Sequence, residues 1–269
     1  MRYFFFVLLV LLPATAFAEV RQETKELELP VIGINVLRIQ SGAGSLILRG
    51  IEGLDKIQVT ADILVQDLQA EDLESYFENN ILLDLKKRGS KALLLAEFLR
   101  SSRFKPIEAR IDLLVRIPKK MTVRIDDGSG PVDASGLYGN LEVDDGSGSI
   151  TIRDITGKVR IGDASGPITV ETVKGNVDVK DGSGSIAINS VAGNVSVLDA
   201  SGSITIQDVD GYVKVTDGSG SIDIHDVSKN VTILESDSGE INIEGVKGKI
   251  IRRDENAPEK ESEPFDDVE

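Results

Sequence analysis

The sequence predicts an all-β fold: a single-stranded, right-handed parallel β-helix, or solenoid, with 18-residue coils. Three observations carry that reading. The tetrapeptide Asp-(Gly/Ala)-Ser-Gly recurs six times at intervals of eighteen residues, beginning at Asp127, Asp145, Asp163, Asp181, Asp199 and Asp217. A fixed period this short marks a stack in which each repeat is one coil resting on its neighbour. Within a repeat, Ile150 and Ile152 alternate with polar residues, as do Val159 and Ile161, and a period of two is the strand signal. Finally, superposing the repeats aligns five apolar columns. They run from Val132 to Ile241, Ile152 to Ile243, Leu137 to Val246, Leu141 to Ile250 and Val143 to Ile233.

Almost every entry in those columns is Ile or Val, whose branched side chains suit a pleated surface and fill a narrow core one layer per coil. Gly157 and the Asp-Gly-Ser-Gly runs break the strands and supply the positive φ angles of sharp turns. A seventh, degraded copy of the motif ends in Ser238-Gly239, one residue late. Seven coils at roughly 4.8 Å spacing make a rod about 30–35 Å long. The right hand is expected from the general chirality of parallel crossovers.

Residues 1–18 read as a secretory leader, with Arg2 as the charged start, Phe4 to Leu12 as the apolar stretch and Ala16-Phe17-Ala18 as the small-residue cleavage site. The apolar run is too short to span a bilayer, and no transmembrane segment is expected once the leader is cleaved. Residues 19–120 are expected to form an α+β N-terminal cap. It begins with an early coil at Ser41–Leu48 and a strand at Lys56–Val65. A short helix follows over Asp67–Asn80, with Leu68, Leu73, Tyr76 and Phe77 on one face. Strands near Ile81–Lys86, Ala92–Glu97 and Ala109–Ile117 complete it, and Pro118 closes the last. A cap answers the tendency of an open terminal coil to pair edge to edge. The β-helix array spans residues 121–251. Residues 252–269 hold eight acids against three bases, with two prolines, and read as a disordered acidic tail.

The chain has no cysteine, which excludes a disulfide framework and thiolate metal sites. Its formal charge is −15, and −16 once Arg2 leaves with the leader, so nucleic acid and anionic lipid surfaces repel it. The expected compartment is the periplasm, ahead of the cell surface.

The segment Ile111-Asp112-Leu113-Leu114-Val115-Arg116-Ile117-Pro118-Lys119 leads into repeated Gly-Ser-Gly-Ser-Ile and Val-x-Gly-Asn-Val runs. This resembles the exported bacterial β-helix domains grouped as adhesins, similar to the head domain of auto-transporter adhesins. The resemblance covers roughly residues 30–251. It implies a β-helix with no catalytic residues to carry over and an adhesive or envelope-binding role.

Read from the residues, several columns offer chemistry. The aspartates Asp127, Asp145, Asp163, Asp181, Asp199 and Asp217 stack at coil spacing, where like charges repel. Each carboxylate is expected to accept hydrogen bonds from the backbone of its own turn. Calcium is the alternative partner, since hard cations prefer oxygen ligands, although the order of residues differs from the calcium-binding nonapeptide. No other cofactor is expected. Ser129, Ser147, Ser165, Ser183, Ser201 and Ser219 have no histidine base in register, so nucleophilic catalysis finds no support. His225, the only histidine, falls in an outward column with Arg153, Glu171, Asn189 and Gln207. Acids such as Asp126-Asp127 do not face each other across a gap, and the short uniform turns leave no loops for a cleft, which argues against a polysaccharide-cleaving β-helix. The outward threonines Thr151, Thr169 and Thr205 are interrupted by Ala187 and Asp223, unlike the unbroken arrays of ice-binding solenoids.

The expected function is a non-catalytic, exported binding or scaffold module that presents a rigid polar face to an envelope protein or glycan. The column Arg153, Glu171, Asn189, Gln207 and His225 is the expected surface. A calcium-stabilised or self-associating structural rod is the alternative reading, and a polysaccharide-active enzyme the remote one.

Overall fold

A computed structural model describes residues 20–66, 76, 79–99 and 109–252. The expected leader and residues 253–269 of the expected acidic tail lie outside the described residues. Seven strands precede the array: β1 (Val20–Pro30), β2 (Val36–Ala43), β3 (Leu46–Ile51), β4 (Lys56–Gln66), β5 (Ile81–Arg88), β6 (Lys91–Phe98) and β7 (Ala109–Pro118). The array then alternates between two faces. One face takes β8 (Thr122–Ser129), β10 (Leu141–Asp145), β12 (Val159–Asp163), β14 (Val177–Asp181), β16 (Val195–Asp199), β18 (Val213–Ser219), β20 (Val231–Ser238) and β22 (Ile250–Arg252). The other takes β9 (Val132–Leu137), β11 (Ile150–Ile155), β13 (Ile168–Val173), β15 (Ile186–Val191), β17 (Ile204–Val209), β19 (Ile222–Val227) and β21 (Ile241–Glu244).

The result is a β-solenoid of two 11-stranded sheets. Sheet A runs β1-β4-β7-β3-β9-β11-β13-β15-β17-β19-β21, and sheet B runs β22-β20-β18-β16-β14-β12-β10-β8-β2-β6-β5. Strands stack in parallel with the register the repeat demands: Ile150 pairs with Ile168, Ile168 with Ile186, and Val159 with Val177. The late seventh motif is absorbed where β18 meets β20. Val215 pairs with Ile233 but Asp217 with Ser236, so one extra residue bulges from the ladder.

The N-terminal strands are stacked out of chain order. β6 and β7 lie beneath β2 and β3, pairing with them in parallel, while β8 and β9 continue above. Both sheets finish on this side in antiparallel pairs, β1 with β4 and β5 with β6. The strand β1 has no counterpart among the sequence expectations. Most of the expected helix over Asp67–Asn80 lies outside the described residues. Tyr76, Asn79 and Asn80 are helical, and Asn80 Nδ2 donates to the Tyr76 carbonyl at 3.1 Å.

The core is one continuous cluster between the sheets, built from the aligned Ile, Val and Leu columns. The fourth column stops short of expectation. Ile250 is 48% exposed and Ile251 43%, because no described coil lies over β22. From β9 to β19, each sheet-A strand also breaks its alternation: in β11, Ile150, Ile152 and Ile155 all point inward, with two residues between the last two. The second of these, Asp154, adopts φ 57° and drops out of the ladder, which turns Ile155 back toward the core. Thr172, Ser190, Asp208 and Asp226 repeat that left-handed conformation at φ 56–60°. For a β-branched residue this geometry is strained. Thr172 is exposed, so Thr172→Asn, which suits the left-handed region, is expected to stabilise the protein by about 0.5–1 kcal/mol. A chemical melt checks it, with Asp154→Asn expected to change little.

Candidate functional site

Three features of the array have the geometry to act on something. The first is the predicted outward column on sheet A. Register pairs Arg153 with Glu171, Glu171 with Asn189, Asn189 with Gln207 and Gln207 with His225, so all five share one line along the rod. Arg153 is tied to Asp133 at 2.8 Å, and Asp133 is held again by Arg49 at 2.8 Å. His225 Nδ1 stands 3.9 Å from Glu244. Glu171, Asn189 and Gln207 are exposed between these anchored ends.

The second is a trough of about 730 Å³ along the outer face of sheet B, lined by residues from Thr122 to Lys214. The short turns had suggested that no cleft would form. The trough needs none: it is the furrow between two outward columns, floored by inward-pointing residues such as Leu141 and Val159. One wall is the row Arg124, Glu142, Arg160, Asp178, Ser196 and Lys214, each beside the next in register. Charges alternate along it, with Arg124 at 3.1 Å from Glu142 and Arg160 at 3.5 Å from Asp178. The other wall holds Asn140, Asn176 and Asn194. Their Oδ1 atoms accept the backbone N–H of Lys158, Asn194 and Tyr212 on the next coil at 2.9–3.0 Å. Tyr212 is 46% exposed, with Lys229 Nζ 4.9 Å from its ring centre. Asn176 and Asn194 lie in the Val-x-Gly-Asn-Val runs, and Asn140 in the related Leu-Tyr-Gly-Asn-Leu; they were legible as a repeat, but not as a wall.

The third is the aspartate column, which register confirms from Asp127 through Asp217. The expected turn hydrogen bonds are present. Oδ1 of Asp145, Asp163, Asp181 and Asp199 accepts the N–H of Ser147, Ser165, Ser183 and Ser201 at 3.1–3.3 Å. Expectation missed how deep these groups sit. Asp145 is 6% exposed and Asp199 2%, because they continue the inward parity of Leu141, Val143, Asp145 along each sheet-B strand. Burial pushes the Asp127 carboxyl up to about 7 and those of Asp163 and Asp199 up to about 6. Asp145 and Asp181 are raised for the same reason. Among the described residues, no three His, Cys, Asp or Glu side chains converge as a metal centre would require.

The serine column faces the same corner. Its carbonyls accept Gly130, Gly148, Gly166, Gly184 and Gly202 N–H from the adjacent coil at 2.9–3.2 Å, which continues the ladder around the turn. Among the described residues, no helix is long and apolar enough to cross a membrane.

Fold and surface together define a two-sheeted β-solenoid with long polar faces. No protein-family model matches the chain, and no curated protein does. Similar solved structures include a provisionally named cell adhesion protein from Clostridium sporogenes, 13% identical over 86% of this chain and 99% of that one, TM-score 0.36. A provisionally named adhesin from Bacteroides fragilis is 11% identical over 86% of this chain and 97% of its own, TM-score 0.44. A provisionally named lipid binding protein from Parabacteroides distasonis is 12% identical over 85% and 96%, TM-score 0.32. At these identities no residue role is transferred from them.

Proposed function

We propose that the protein is a non-catalytic binding module of the bacterial cell envelope, exported by its leader. Its partner is an extended polar ligand, a glycan strand or a protein segment. The observation that supports this best is the sheet-B trough. It crosses the strands from β8 to β18, about 24 Å at the usual strand spacing, and offers paired charges, asparagine amides and an exposed tyrosine along its length. Such a furrow suits many shallow contacts better than enclosure of a small molecule. The sheet-A column from Arg153 to His225 supplies a second polar face.

Co-sedimentation of residues 19–269 with outer membrane, peptidoglycan and whole envelope tests the proposal. Saturable capture by one fraction is expected. The triple substitution Arg160→Ala, Tyr212→Ala and Lys214→Ala is expected to weaken capture at least tenfold without moving the melting temperature, since surface substitutions of this kind cost little stability. A matching variant at Glu171, Asn189 and Gln207 reports on sheet A. If neither variant weakens capture, both faces are wrong; absence of capture by every fraction overturns the envelope partner itself.

A further inference from the structure

Five aspartates, Asp127, Asp145, Asp163, Asp181 and Asp199, stand one above another inside a single corner of the rod. All are more than nine-tenths buried. One oxygen of each is engaged: Ser41 Oγ donates to Asp127 Oδ1, and the other four receive the serine N–H of their own turn. The second oxygen, Oδ2, is buried in all five and meets no hydrogen-bond donor. A run of carboxylates in this state is unfavourable twice over, through lost hydration and through repulsion at about one strand spacing, roughly 5 Å.

A proton relieves both penalties, because a neutral carboxyl costs far less to bury and no longer repels the carboxylates above and below it. We propose that the column is a proton-binding ladder, which takes up protons on folding and makes the rod most stable in mild acid.

The surroundings favour protons over fixed counter-charges. The inner side faces the apolar core. On the outer side, a shallow acidic recess is lined by Asp126, Asp144 and Lys180. Asp126 is already held by Arg38 at 2.7 Å, and Asp144 feels Glu142 and Asp126 against Arg160 and Arg124. The upward shifts of the column carboxyls, to about 7 at Asp127 and about 6 at Asp163 and Asp199, agree with the geometry. The sign follows from linkage. These groups titrate near 3.9 in the unfolded chain, so between pH 4 and about 7 the folded state holds more protons. Stability therefore falls as pH rises through that window.

The test combines side-chain carboxyl NMR of the full chain, ¹³C-labelled at aspartate, with thermal melts from pH 4.5 to 8.5. A group of aspartate resonances titrating well above the ordinary range is expected. The melting temperature should drop by about 5–10 °C from pH 5 to pH 8. The double variant Asp163→Asn and Asp181→Asn should flatten that slope. If every aspartate titrates near 4, the ladder is wrong, and this reading needs no variant to fold. A slope unchanged in the double variant also overturns it. Alkaline stability restored by millimolar Ca²⁺ and abolished by EDTA would assign the column to a cation instead.

Discussion

Gly184→Ala is expected to cost about 3–5 kcal/mol, enough to leave the array partly unfolded at 37 °C. Gly184 closes the Asp-Gly-Ser-Gly turn at φ 143°, a region that side chains scarcely enter, and an added Cβ would lie 2.0 Å from the Gly166 carbonyl oxygen. That oxygen belongs to the backbone of the adjacent coil, so relief means separating coils. Gly202 and Gly220 are worse placed, with the same contact at 1.6 and 1.5 Å. The control is Gly182→Ala in the same tetrapeptide. It is expected to cost much less, because alanine already stands at the equivalent position in Ala164 and Ala200. Equal losses for the two variants, measured by urea denaturation, would show that the φ angle and coil spacing at Gly184 are not the constraint.

Ile186→Asp is expected to unfold the array outright. Ile186 is 1% exposed and packs between Ile168 and Ile204 in a core one side chain deep per coil. Its replacement would carry a carboxylate with no turn N–H to engage it, at a cost of several kcal/mol, comparable with the whole stability of an ordinary domain. Because each coil contacts only its neighbours, a defect in the middle also uncouples the two halves. Far-UV circular dichroism should lose its β signal at 25 °C. A folded variant with a cooperative melt would mean that the core tolerates a buried acid at mid-sheet, as it does at the corner.

That contrast between Ile186 and Asp181 shows how much of the molecule was readable. The 18-residue register was legible because Ile and Val columns and the turn tetrapeptide repeat at one interval, and each ladder pairs as that interval requires. The late seventh turn was legible for the same reason, and its bulge is the spatial form of one inserted residue. The strands β5, β6 and β7 were legible from their alternation. Their place beneath β2 and β3 was not, because a local pattern carries no information about which distant edge a strand joins.

The inward aspartates were missed by reading polarity before parity. Asp145 follows Leu141 and Val143 at the same spacing, and the pleat sends all three to one side whatever their chemistry. The left-handed residues had a signal too, in the three-residue step from Ile152 to Ile155, but their composition (Asp, Thr, Ser, Asp, Asp) names no single conformation.

By itself the sequence determined the coil: its length, its turns and its apolar core columns. Those are consequences of local conformational preference and hydrophobic periodicity, which act over a few residues and then repeat. Only the tertiary structure decided the order of the N-terminal strands, the trough on sheet B, and the burial that raises the aspartate carboxyls. Each of these depends on what the next coil or the opposite sheet places against a side chain, and that neighbour is set by stacking.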